Sequence, residues 1–218
     1  MRYLIVEGIT DVAFVKYVCF KNKITNKFNE FSVQSNQGKV EIYKNRNLFI
    51  INLKGQNNLN YVLLEIIKNL EMRIEKIGII QDADDNFEKS KQNIETAINN
   101  SEIDKSKIDF FLTPNNKDEG DLETLLLSTL DENRIPQLKC FKEYKDCLNK
   151  HIDITTKAMD KAKLYSYTMF SKNGKNYYTP QNSFMYKNNK KYKDTELWDL
   201  SKDEFQPIID FISSIFRD

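Results

Sequence analysis

Three pairs of acidic side chains each follow an apolar run. Glu7 and Asp11 come after Tyr3-Leu4-Ile5-Val6, within the stretch YLIVEGITDVAF. Asp82 and Asp84 come after Ile77-Gly78-Ile79-Ile80, and Asp121 and Glu123 after the run from Ile108 to Leu112. Carboxylates that converge repel one another and are stable together only when a cation neutralises them. Hard oxygen donors with little histidine or thiolate nearby select Mg2+ or Mn2+. Magnesium keeps several waters and takes one or two carboxylates, so it has positions left for phosphate oxygens. Two ions roughly 4 Å apart form a clamp for in-line phosphoryl displacement. Gly8 suits such a place because it lets a metal or phosphate approach the backbone. Each pair also has a plain structural use. Glu-Gly is a common turn, Asp82-Ala83-Asp84-Asp85 could cap a helix starting near Phe87, and Asp121 and Glu123 suit a helix N-terminus.

The elements that must position these groups can be read from periodicity. Arg2 to Val6 reads as a strand, and Thr10 as the cap of a helix from Asp11 to about Asn22. Short strands are expected at Phe31 to Gln34, Val40 to Tyr43 and Leu48 to Leu53. Leu59, Val62, Leu63, Ile66, Ile67 and Leu70 have the spacing of an amphipathic helix over Leu59 to Arg73. Lys76 to Gln81 and Ile108 to Leu112 read as buried strands. Phe87 to Asn99 reads as a helix, and so does Leu122 to Leu130, capped by Asp121. Continuous apolar strands alternating with helices indicate an α/β domain over residues 1–135, a mostly parallel sheet with helices on both faces. Residues 136–218 read as a small, mainly helical extension packed on the same core. Its helices are expected at Leu138 to Leu148, Thr155 to Phe170 and Phe205 to Phe216, with a loop or hairpin from Ser171 to Lys193. In an open parallel sheet, ligands sit beyond the carboxyl ends of the strands, where all three acidic pairs fall.

Composition narrows the class. The chain has 218 residues, 40% of them hydrophobic, enough for one core of ordinary size. No apolar run is long enough to cross a membrane, and the N-terminus lacks the pattern of a signal peptide. Three widely spaced cysteines and the single His151 make no zinc site, and reduced thiols suit the cytoplasm. From Lys139 to Lys193 there are thirteen lysines against Glu143, Asp146, Asp153 and Asp160, a balance of +9 in a chain of net charge +1. The same segment holds seven of the eleven tyrosines. One region would thus hold a polyanion while the acidic region works on it. Lys172, Lys175, Lys190 and Lys191 would bind phosphates, and Tyr177, Tyr178, Tyr186 or Tyr192 would stack on unpaired bases.

Glu-Gly-x-x-Asp after the first strand, followed by Asp-x-Asp after a later one, resembles the Toprim domain of primases, topoisomerases and OLD-family nucleases. Glu7, Asp82 and Asp84 stand at the Toprim positions, and Asp11 matches the "VEG-x-x-D" form of OLD-like members. EGDLETLLL, from Glu119 to Leu127, is similar to the acidic segment of that branch. DKAKLYSY and LWDL resemble the tail of a small stand-alone bacterial group. The resemblance implies a Rossmann-like Toprim fold and Mg2+-dependent handling of a nucleic-acid phosphodiester. Glu7 would bind metal or act as general acid and base, Asp82 and Asp84 would hold an ion, and Asp11 and Glu123 would complete a second site. A downstream lysine assists the transition state in OLD-like nucleases; Lys161 and Lys163 are the candidates here.

Among Toprim activities, the chain is too short beyond the core for a topoisomerase. It also lacks the zinc segment of a bacterial primase and the phosphate-binding loop of an ATPase. A compact metal-dependent nuclease fits, with a catalytically silent module that binds metal and nucleic acid in a larger complex as the alternative. A phosphatase using an Asp-x-Asp nucleophile places that pair after its first strand, unlike this chain. DNA versus RNA, endo- versus exonucleolytic cleavage, and pairing with a second copy or another protein stay open.

Overall fold

A computed structural model of the protein describes residues 1–27, 30–36, 38–67, 73–133, 135–170, 180–184 and 197–217. In chain order the elements begin with β1 (Arg2–Val6), α1 (Ile9–Lys21), β2 (Ser32–Asn36), β3 (Glu41–Asn45), β4 (Leu48–Asn52) and α2 (Leu59–Tyr61), which continues as a π-helical turn over Val62–Ile67. Then come β5 (Lys76–Asp82), α3 (Phe87–Asn100), β6 (Ile108–Thr113), α4 (Leu122–Ser128), α5 (Pro136–Leu148), α6 (Thr156–Met169), α7 (Pro180–Ser183) and α8 (Gln206–Phe216).

The six strands form one mixed, mostly parallel sheet in the order β2-β3-β4-β1-β5-β6. β4, β1, β5 and β6 run parallel, while β3 is antiparallel to both β2 and β4. The mostly parallel sheet is as expected, and the antiparallel β2-β3-β4 meander within it follows from the length of its links. Only Arg46 and Asn47 separate β3 from β4, with Arg46 at φ 54°, and a parallel crossover needs about a dozen residues or more.

The central strands β4, β1 and β5 are apolar along most of their length because both faces are covered, whereas the edge strand β2 is exposed at Ser32, Val33 and Gln34. Leu4, Val6, Ile50, Ile80 and Phe111 point into a core shared with α1 and α8. Tyr3, Ile5, Phe49, Ile51, Ile79 and Leu112 point into a second core with α3 and the 59–67 segment. α8 lies close on the sheet because Gly78 has no side chain: a Cβ there would meet Ile215 Cγ1 at 2.6 Å and Leu4 Cδ1 at 2.8 Å. Leu138, Leu164, Phe184, Trp198 and Phe205, all from beyond residue 135, join the first core. Tyr17 donates its hydroxyl to the Trp198 carbonyl at 2.9 Å, and Trp198 Nε1 donates to Ser183 Oγ at 2.8 Å.

The helix expected over Leu59 to Arg73 is present as far as Ile67, and residues 68–72 lie outside the described set. So does most of the loop or hairpin expected from Ser171 to Lys193, apart from α7 and Phe184. Among the described residues, no helix is long and apolar enough to cross a membrane.

The order of connection fixes where a ligand can bind. From β1 the chain turns to one side, through the β2-β3 meander to β4. It then returns to the other side of β1 with β5 and β6. The carboxyl ends of β1 and β5 are therefore neighbours at the point where the winding reverses.

Candidate functional site

Val6 pairs with Ile80 in register, so Glu7 and Asp82 leave adjacent strands almost side by side. Glu7 is half-buried, and the backbone N–H of Asp82 supports its carboxylate. Its Oε2 is buried and has no hydrogen-bond partner among the described residues. Burial raises the Glu7 pKa, as does the charge of Asp84; the Asp82 N–H, Lys157 and Lys161 pull it back.

α1 begins at Ile9, not Asp11, with Gly8 rather than Thr10 as its N-cap. Thr10 lies inside the first turn, and Asp11 turns back to accept the Gly8 N–H on Oδ2 at 2.8 Å. A Cβ on Gly8 would lie 3.2 Å from that same Oδ2. The glycine thus makes room for the Asp11 carboxylate. Burial first, then the charge of Glu7, pushes Asp11 up to about 7.

β6 and the loop beyond it position Asp82. Its Oδ1 accepts from Thr113 Oγ1 at 2.8 Å and from the Leu122 N–H at 3.2 Å. Burial, then Asp11 and Glu7, raise Asp82 well above the ordinary carboxylate range. Asp84 follows in the left-handed region, φ 52°, where aspartate is tolerated. Its backbone exchanges two hydrogen bonds with Gly120, each 2.8 Å, and so ties the loop after β5 to the loop after β6. Neither aspartate caps α3. That cap is Asn86, whose side chain accepts from the Lys89 N–H at 2.9 Å.

Asp121 caps α4 as its position in the sequence suggests, accepting from the Thr124 N–H at 2.9 Å and from Thr124 Oγ1 at 2.8 Å. Glu123 in the next turn is half-buried, and its pKa is raised by burial and by Asp121. Glu7, Asp11, Asp82, Asp84 and Glu123 therefore share one rim, close enough to act on one another's charge. Among the described residues, no three of the acidic, histidine or cysteine side chains meet as a ready-made ligand set. Each has a partner of its own: Asp11 the Gly8 N–H, Asp82 Thr113 and Leu122, and Asp84 a lysine.

That lysine is Lys157, whose ammonium pairs with Asp84 Oδ1. Lys161, one helical turn later, acts electrostatically on Glu7 and Glu123. Lys163 lies two residues on, on a different face of α6, and pairs with Glu132. Among the described residues, Lys157 and Lys161 are the cations that act on the rim, where the sequence suggested Lys161 and Lys163. Helical spacing alone relates Lys157 to Lys161 and sets Lys163 apart. Lys172, Lys175, Tyr177, Tyr178, Tyr186, Lys190, Lys191 and Tyr192 all lie outside the described residues.

A second polar group borders the rim. The loop after β4 is tied to Glu7, whose carbonyl accepts from the Gly55 N–H at 3.0 Å. Beside it, Lys54 pairs with Glu41 at 3.2 Å, and Glu41 also accepts the Tyr43 hydroxyl at 2.9 Å. Lys16 lies 4.0 Å over the Tyr43 ring, and burial lowers its pKa to about 8. Sequence reasoning missed this group because its members come from three separate elements, β3, the loop after β4 and α1.

The profile of one protein family, described as a protein of unknown function (DUF3226), matches residues 1–217. The chain belongs to the DUF3226 family. A hypothetical protein of Pyrococcus horikoshii, known from a crystal structure, is 16% identical to this DUF3226 chain, with 97% of this chain and 98% of that one covered and a TM-score of 0.43. No curated protein matches. In this DUF3226 protein the acidic rim therefore has to be read from its own chemistry.

Proposed function

We propose that the protein is a Mg2+- or Mn2+-dependent hydrolase of nucleic-acid phosphodiesters, a Toprim-type nuclease. The observation that carries this reading is the buried, unpartnered Oε2 of Glu7, set among carboxylates from neighbouring strands. A buried acceptor without a donor is costly, and crowded carboxylates add repulsion. A divalent cation would relieve both, and a donor set made only of carboxylate oxygens fits Mg2+ or Mn2+.

Glu7, Asp11 and Asp82 would hold the ion, with Asp84 and Glu123 at its border. When bound, it would polarise a phosphate oxygen and lower the pKa of a water. Thr113 and Leu122 keep the Asp82 carboxylate aimed at the rim. Where Glu7 is not itself a ligand of the ion, its raised pKa suits the alternative role of a side chain that takes and returns a proton. Lys157 and Lys161 supply positive charge where the phosphate would lie. Lys172, Lys175, Lys190 and Lys191, with Tyr177 and Tyr178, would hold the strand. Binding should then weaken steeply with salt, and a flat response of a labelled single strand would count against that tract.

The Lys157–Asp84 pair favours a second reading: a module that binds metal and nucleic acid without turnover. One experiment separates the two. Purified protein is incubated with Mg2+ or Mn2+ on single- and double-stranded DNA and RNA, beside a Glu7→Gln/Asp82→Asn variant. Cleavage by the wild type that the variant loses supports the hydrolase. Binding without cleavage in both supports the silent module.

A further inference from the structure

The rim divides into two parts that differ in their neutralisation. The charges acting most strongly on Asp11 and Asp82 are all carboxylates: Glu7 and Glu123 on the first, Asp11, Glu7 and Asp121 on the second. Asp84, by contrast, has an ammonium in direct contact.

That contact joins two fixed backbones. Thr155 caps α6, its hydroxyl accepting from the Ala158 N–H at 3.3 Å, so Lys157 lies in the first turn of a helix packed on α4. Asp84 is locked to Gly120 by two backbone hydrogen bonds. From that position Lys157 also favours the charged forms of Glu7 and Glu123. A divalent ion seated at Asp84 would have to displace the ammonium or lie against it, and like charges so placed repel strongly.

We infer that Lys157 is the resident counter-ion of Asp84 and takes the place of one of the two divalent ions such a rim could hold, so that the site binds a single ion, at Glu7 and Asp82. The inference rests on reading the rim as a divalent-ion cradle. It assigns Lys157 a positioning role: it sets the number of ions and where they lie.

The test counts bound Mn2+ on the intact chain, by the loss of the free-ion electron-spin-resonance signal and by calorimetry. The wild type is expected to bind about one ion and Lys157→Met about two, the second at the released Asp84. Lys157→Arg, which keeps the charge, and Lys163→Met, whose lysine pairs with Glu132 away from the rim, are each expected to bind about one. Two ions in the wild type overturn the inference. So does a single ion in a Lys157→Met chain whose Trp198 fluorescence and circular dichroism match the wild type. If Lys157→Met does not fold, Asp84→Asn decides. It should still bind about one ion, and loss of that ion overturns the inference. A wild type that binds no Mn2+ overturns the ion-cradle reading and this inference with it, an outcome distinct from a wild type that binds two.

Discussion

The two ends of the same four parallel strands handle charge in opposite ways. At the amino-terminal end, charges are paired. The Met1 ammonium and Arg2 both reach Glu75, at 3.0 and 3.2 Å, and Lys76 reaches Asp109 at 3.1 Å. Arg2 also donates to the Arg217 carbonyl, tying the start of the chain to its end. At the carboxyl-terminal end, Glu7, Asp11, Asp82 and Glu123 gather like charge, and a buried oxygen has no donor among the described residues. Charges arranged only for stability would resemble the first end. Like charges are held together at the second at a cost in stability, and such clusters concentrate where chemistry is done.

The sharpest way to break the comparison is to remove one acid from each end. If the protein is the hydrolase proposed above, Glu7→Gln should lower its rate by roughly 10²–10⁴-fold, while Glu75→Gln should leave it near that of the wild type. Rates on a labelled strand under saturating Mg2+ check this. Equal losses would mean that the two ends do not differ in function.

Next comes the frame that carries both ends. Gly78→Ala places a methyl against Ile215 and Leu4, and overpacking of this kind costs about 1–3 kcal/mol. Urea unfolding followed by Trp198 fluorescence should show the loss. An unchanged midpoint would mean that α8 does not press on the sheet.

The ends should also differ in the sign of their pH dependence. The pKa values of Glu7, Asp11, Asp82 and Glu123 are raised on folding, so the folded chain keeps protons that the unfolded chain has released. Their stabilisation is complete below the ordinary carboxylate range and is lost as pH rises through the folded values, about 7 for Asp11. Glu75 is lowered by its hydrogen bonds to the N-terminus and Arg2, so its contribution is present above its ordinary 4.5 and is lost as pH falls through the folded value. Melting curves without divalent ions should decline between about pH 4 and 7, and Glu7→Gln/Asp82→Asn should flatten that decline. Glu75→Gln should affect only the acid side, and less.

The smallest effect is expected at Gly8. Its backbone is extended, so alanine is tolerated there, but the new Cβ would press on Asp11 Oδ2. Loss of the Gly8–Asp11 bond should cost at most about 1 kcal/mol by urea unfolding. A larger loss would mean that Gly8 does more than make room for Asp11.

Much of the acidic rim was legible in the sequence, because a strand buried on both faces must be apolar along its length. A run such as Tyr3 to Val6 that stops on Glu7 therefore marks where the chain emerges. Ile77 to Ile80 before Asp82 reads in the same way. The partners across space were not legible. Thr113 supports Asp82 from the neighbouring strand, and Gly120 fixes Asp84 from the next loop, contacts that depend on strand order. Periodicity placed Lys157, Lys161 and Lys163 on a helix, but which face meets the rim depends on how α6 packs against α4. The three strands of the β2-β3-β4 meander were expected, but not their antiparallel direction, because side-chain periodicity is the same whichever way a strand runs. The short links, four residues from β2 to β3 and two from β3 to β4, betray the direction.

The central claim is that the carboxyl-terminal rim is neutralised by a divalent cation. It is tested most directly by melting the wild type and Glu7→Gln/Asp82→Asn at pH 7.5 with and without Mg2+ or Mn2+, since an ion that binds only the folded state raises the melting temperature. The account predicts a concentration-dependent rise for the wild type and none for the variant. Equal shifts in both chains, or no shift in the wild type, would contradict it.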